Sequence, residues 1–195
     1  MSFNDKKRRK TRWMLATVIW TFILAIIFGF ITHYLLNEVK SLPVSFLILL
    51  LVVAVGIVFD LVGTAAAAAK IAPLNAKAAR RVTGARRAVY LVKNAEQVAN
   101  FCNDVVGDIS GIISGTIAAL IVFKLVSFFP THMAEFYLGI LLTAVVAAIT
   151  VGGKAWGKSI AIRYSTEVIL LAGLIVTKIE NPFGRKKKQS TTNEG

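Results

Sequence analysis

The chain contains four long apolar runs that are almost free of charge. They cover residues 13–32, 42–59, 105–123 and 136–153, and Asp108 is the one charged residue within them. A helix needs about 20 such residues to cross the ~30 Å hydrocarbon core of a bilayer. The sequence therefore predicts an all-α, polytopic membrane helical bundle with four transmembrane helices. The first run is longer than the apolar region of a cleaved signal peptide, so we expect it to remain as a helix.

The basic residues are grouped between these runs. Of the 23 lysines and arginines, six lie in residues 1–12, seven between Lys70 and Lys93, and eight from Lys154 onward. Cytoplasmic loops carry an excess of such residues, which predicts a multi-pass protein of the cell (plasma) membrane with both termini in the cytoplasm. The net charge of +13 favours contact with anionic lipid headgroups over nucleic-acid binding, because no base-reading module accompanies it.

The segment between the second and third runs, residues 70–100, has the pattern of a cytoplasmic helical hairpin. Pro73 suits the first turn of a helix, Gly84 suits a break, and apolar residues recur at helical spacing after that break. The end of the chain, residues 179–195, is basic and polar and predicts a disordered tail.

Three motifs carry a resemblance to a known family. They are FDLVGTA, KAARRVTGARRAVYLVKNAEQVANFCND and VGGKAWGKSIA. In order and spacing they resemble the transmembrane module of the CorB/CorC magnesium and cobalt transporters, which is shared with the cyclin-M (CNNM) proteins. The resemblance covers residues 43–178 and implies a three-span module with an interfacial amphipathic helix over 158–178. Residues 13–36 would be an additional transmembrane helix, and we expect the CBS-pair and C-terminal domains of that family to be lacking.

The resemblance also implies functional residues, and the chain departs from some of them. Thr64 matches a family threonine, and Asn103 matches an asparagine implicated in metal coordination. Gly63 and Lys154 stand where the family has glutamates, and Gly157 stands where it has a proline. The family modules pair, so a homodimer is implied.

The residues themselves suggest how a cation site could form. On the third predicted span, Asp104 and Asp108 share a helix face with Gly107, Gly111 and Gly115, and such small residues let helices approach closely. Packing of this face against the small residues that follow Asp60 would gather several oxygen ligands near the inner membrane face. The predicted metal ligands are Asp60, Thr64, Asn103, Asp104 and Asp108. Oxygen ligands suit Mg²⁺, and the resemblance adds cobalt as an alternative.

The same residues also fit roles that need no metal. Asn103 or Asp104 could cap the third span, Asp108 could form a buried ion pair with Lys154, and the glycines could serve helix packing alone. We predict no enzyme, because no histidine is positioned as a base and no phosphate-binding loop is present. The functional prediction is divalent-cation binding or transport, and the alternative is a degenerate, non-transporting module that acts as a structural or regulatory membrane partner.

Overall fold

The computed structural model describes residues 3–38, 41–126 and 132–180, and these residues form an all-helical bundle. The helices are α1 (Phe3–Glu38), α2 (Leu42–Ala68), α3 (Ile71–Ala79), α4 (Ala85–Lys93), α5 (Ala95–Ala99), a π-helix (Asn100–Val106), α6 (Gly107–Val126), α7 (His132–Arg163) and α8 (Ser165–Glu180). Most of the predicted tail and parts of both predicted outer loops lie outside the described residues.

Three helices are long and apolar enough to cross a membrane. They are Leu42–Ala68, Ala95–Val126 and Phe136–Arg163, and the second of these is α5, the π-helix and α6 read as one continuous span. The first predicted span lies within α1, which contributes a shorter apolar segment, Val18–Tyr34, among the described residues. The prediction of a helical membrane bundle is thus confirmed at the level of three candidate spans.

The centre of the bundle is the packing of α2 against the third span. A row of β-branched residues at every fourth position, Val105, Ile109, Ile113, Ile117 and Ile121, is buried against Leu49 and Val53 of α2. The two backbones come close because α2 has a glycine there: a Cβ at Gly56 would lie 2.9 Å from Ser110 Cβ. α7 packs against both α2 and α6, and its Gly153 and Gly157 face Ile57 of α2.

The predicted hairpin takes the form of α3 and α4, and it is fixed to α8. Gly84 begins the second helix with a left-handed φ of 82°. A Cβ at Gly173 of α8 would lie 2.5 Å from Gly84 O and 2.6 Å from Ala88 N. The two helices therefore meet backbone to backbone, and Leu74, Ala88 and Ile169 form a buried apolar cluster beneath them.

The end of the last predicted span differs from the prediction. The sequence places it at residue 153 and an interfacial helix at 158–178, whereas α7 runs unbroken to Arg163 and α8 begins at Ser165. No proline interrupts residues 154–163, so the helix can continue beyond the apolar run. The joint at Tyr164 is tight, because its N–H donates to Ile160 O at 2.8 Å and its carbonyl accepts from Val168 N at 3.0 Å.

Candidate functional site

Asp60 is a buried carboxylate in the apolar second span. The residue is 3% exposed, and its Oδ2 has no hydrogen-bond partner. The nearest cationic group is Lys158 Nζ on α7, at 3.9 Å from Oδ2. That distance is too long for a hydrogen bond and leaves a loose ion pair. The Lys158 side chain is half exposed, whereas that of Asp60 is not, so the carboxylate is only partly compensated.

Asn103 presents a second buried oxygen without a partner. It lies in the π-helix, and its Oδ1 is buried with no hydrogen-bond donor in reach. The amide oxygen lies against Gly63, where a Cβ would overlap it and would be 2.9 Å from Asn103 Cγ. Gly63 is three residues after Asp60 on α2, so both share one helix face. The two unpartnered oxygens thus come from facing helices, with Asn103 placed against α2 less than one turn from Asp60.

The π-helix sets Asn103 apart from the regular helix on either side. It covers seven residues, Asn100–Val106, and the N–H of Gly107 donates to Cys102 O. Such wider turns occur mostly as short insertions within α-helices and frequently at functional sites. The sequence NFCNDVV gives no signal for it, and the prediction of a regular third span missed it.

Asp104 and Asp108 lie outside this buried region. Both are exposed on the outer surface of the described chain, and so are Gly111 and Gly115, where a Cβ would have nothing within 4 Å. Gly107 of the predicted face is buried beside Gly56 of α2, but Asp104, Asp108, Gly111 and Gly115 do not pack against α2 as predicted. The β-branched row of the same helix faces α2 instead, because larger side chains make more dispersion contacts than glycines.

The five predicted ligands are therefore not gathered into one cluster. Thr64 is partly buried one turn after Asp60, but Asp104 and Asp108 face outward. Within residues 3–38, 41–126 and 132–180, no three His, Cys, Asp or Glu side chains are grouped as potential metal ligands. What the structure does bring together is Gly63 and Asn103, with Asp60 three residues before Gly63 on α2.

The lysines of α7 also differ from the prediction. The described side chains form no Asp108 to Lys154 ion pair; Asp60 pairs with Lys158 instead. Lys154 Nζ lies beside the third span, 3.4 Å from where a Cβ of Gly107 would be. The two lysines are four residues apart and share a helix face, and this spacing could have pointed to Lys158 as well.

No family model, curated protein or solved structure matches this chain. The resemblance to the CorB/CorC module stays a prediction that depends on the three motifs of the sequence.

Proposed function

We propose that this protein is an integral membrane protein that binds or transports a divalent cation, with Mg²⁺ as the best candidate and cobalt as the alternative. In this proposal it resides in the cell membrane with both termini in the cytoplasm. The observation that carries the proposal is the pair of buried, unpartnered oxygens, Asp60 Oδ2 and Asn103 Oδ1. Buried polar atoms almost always have a partner, and an exception calls for a physical cause such as an ion.

The chemistry of these two oxygens fits a hard cation. Mg²⁺ prefers oxygen ligands, keeps several waters and needs only one or two carboxylates from the protein. Asp60 supplies the charge, Asn103 supplies a neutral oxygen, and Thr64 lies one turn away on α2. Gly63 supports the arrangement, because any side chain there would occupy the position of the Asn103 amide.

Lys158 has a defined role in this proposal. Its ammonium group, 3.9 Å from Asp60 Oδ2, offsets the buried charge when no metal is bound. Its side chain is half exposed, so it can move aside when a divalent ion takes its place. Cation and ammonium then compete for one carboxylate.

The test is metal-dependent stability of the full-length protein in a neutral detergent. Mg²⁺ at about 100 times its Kd would stabilise the wild type by about 2.7 kcal/mol, seen as a rise in Tm. We expect Asp60→Asn and Asn103→Ala to lose this rise. Glu167→Gln is the matched control, because it makes the same carboxylate-to-amide change at an exposed residue of α8 and should keep the rise. If Asp60→Asn and Asn103→Ala both show the same Mg²⁺-dependent rise in Tm as the wild type, the site is refuted.

A second candidate is the non-transporting membrane partner, in which Asp60 and Lys158 form a structural ion pair. The observation that favours it is the outward position of Asp104 and Asp108, which leaves a single carboxylate at the buried site. Lys158→Met separates the two candidates. Cation binding predicts a lower Kd for Mg²⁺, because the competing charge is gone. A structural pair predicts a lower Tm and no response to Mg²⁺, since the partner charge of Asp60 would be lost.

We also propose that the protein is a homodimer that pairs through the exposed face of α6. Gly111 and Gly115 are spaced as a small-xxx-small motif, and both have open space around them. Motifs of this kind allow close helix contact within a membrane. Such pairing would also cover Asp104 and Asp108, which a single chain leaves exposed.

A further inference from the structure

A basic cleft lies between the α3–α4 turn and the end of α8, away from Asp60 and Asn103. It has a volume of about 700 Å³, and its lining includes Arg81, Arg86, Arg87 and Glu180. Binding clefts for small molecules are commonly about 300–1,000 Å³. Three arginines around one space of this size form a concentrated positive charge.

Two of the three arginines lack a counter-charge. Glu180 is the one acidic residue in the lining, and it already forms an ion pair with Arg87. Among the described residues no carboxylate lies within ion-pair distance of Arg81 or Arg86. The cleft therefore holds an uncompensated positive charge of about two from Arg81 and Arg86. Guanidinium groups match the geometry of phosphate oxygens.

The cleft is built on a rigid frame. Gly84 and Gly173 hold α4 against α8 by backbone contact, so the walls cannot separate without breaking that packing. Arg81 has a left-handed φ of 55° just after the end of α3, where its N–H donates to Ala78 O and the N–H of Val82 donates to Lys77 O. These are the hydrogen bonds of a Schellman cap, in which the residue after the helix end has a left-handed φ. The backbone of Arg81 is thus fixed to the end of α3 at one side of the cleft.

We propose that this cleft binds an anion that bears a phosphate group, with Arg81 and Arg86 as its principal ligands, while Arg87 stays paired with Glu180. The phosphate could belong to a lipid headgroup or to a soluble molecule, and the chemistry of recognition is the same. The proposal is independent of cation binding, since none of the residues around Asp60 lines the cleft.

The experiment titrates two probes against the full-length protein in a neutral detergent at constant ionic strength. Inorganic pyrophosphate represents a soluble phosphate, and short-chain phosphatidylglycerol, compared with phosphatidylcholine, represents a lipid headgroup. The variant is Arg81→Gln/Arg86→Gln. The matched control is Arg80→Gln/Lys93→Gln, which removes the same charge from exposed residues of the same hairpin outside the cleft.

We expect at least one probe to raise the Tm of the wild-type protein. The Kd for that probe should increase about tenfold or more in the cleft variant and less than about threefold in the control variant. A response to pyrophosphate identifies a soluble ligand, and a response to phosphatidylglycerol alone identifies a lipid. Equal weakening in both variants, or no response to either probe in the wild type, would overturn the proposal. The single variant Arg86→Gln gives the same comparison if the double variant does not fold. The Mg²⁺ response should be unchanged in every variant.

Discussion

Gly63 shows how one missing side chain can define a site. Its position on α2 is in contact with the Asn103 amide of the facing helix, and Cys102 Cβ would lie 3.0 Å from a Cβ placed there. The resemblance to the CorB/CorC module assigns a glutamate to this position. In this chain the space beside Gly63 is filled from across the interface by the Asn103 amide of the third span.

Gly63→Ala should destabilise the protein by about 1–3 kcal/mol, because the new methyl group would overlap a buried amide that has little room to move. It should also abolish the Mg²⁺ response by displacing Asn103. The measurement is Tm with and without Mg²⁺. Gly152→Ala is the control, since nothing lies within 4 Å of a Cβ placed there. Equal Tm values for the two variants would contradict this account.

A second prediction at this scale concerns Asp60 and Lys158. If their charges interact across 3.9 Å, the effects of Asp60→Asn and Lys158→Met on the free energy of unfolding should not add. Contacting pairs show coupling of about 0.5–3 kcal/mol. The double variant, measured without metal, should thus be more stable than the sum of the single effects predicts. Lys154→Met with Asp60→Asn is the comparison, and coupling there of equal size would argue against a specific pair.

At the scale of elements, the α4–α8 contact is the most tightly constrained. Gly173 and Gly84 approach through backbone atoms, and backbone cannot swing aside as a long side chain can. Ala85 and Ala88 of α4 are fully buried at the same contact. The hairpin is therefore a docked part of the bundle, and the basic cleft depends on that docking.

Gly173→Ala should loosen the hairpin from α8. The added methyl would lie 2.5 Å from Gly84 O and 2.6 Å from Ala88 N, so the two helices must separate. We expect faster amide hydrogen exchange in residues 71–93 and easier trypsin cleavage at Arg80 and Arg81. Gly152→Ala should change neither, because it has open space around it. Unchanged exchange in Gly173→Ala would show that the contact can relax at little cost.

For the whole molecule, α1 decides the number of membrane crossings. It is one helix of 36 residues, and it contains the uncharged run of residues 13–32, but it is not among the three candidate spans found in the described residues. If α1 crosses, the chain has four spans and its ends lie on the same side. If it does not, the ends lie on opposite sides.

Cysteine labelling distinguishes these arrangements. In a Cys102→Ser background, single cysteines at Ser2 and Ser190 should both resist a membrane-impermeant maleimide in intact cells and both react once the membrane is opened. This result follows from the three basic clusters, all of which favour the cytoplasmic side. Labelling of one terminus in intact cells would reduce the count to three crossings.

The dimer is the second prediction for the whole molecule. In the same background, Gly115→Cys should form a disulfide-linked dimer when membranes are oxidised, because this face of α6 is open in the single chain. Ile117→Cys, at a fully buried position, should not. Absence of the Gly115→Cys dimer would remove α6 as the pairing surface.

The sequence by itself was enough to predict that the chain is helical and that it has helices long and apolar enough to cross a membrane, because run length and charge act locally along the chain. It also determined where the hairpin breaks, at Gly84. The tertiary structure alone decided which face of the third span turns inward, that Asn103 meets Gly63, and that Lys158 rather than Lys154 approaches Asp60. A helical pattern fixes which residues share a face. Which face turns toward a neighbouring helix depends on the contacts summed over both helices. The sequence of one helix alone does not specify those contacts.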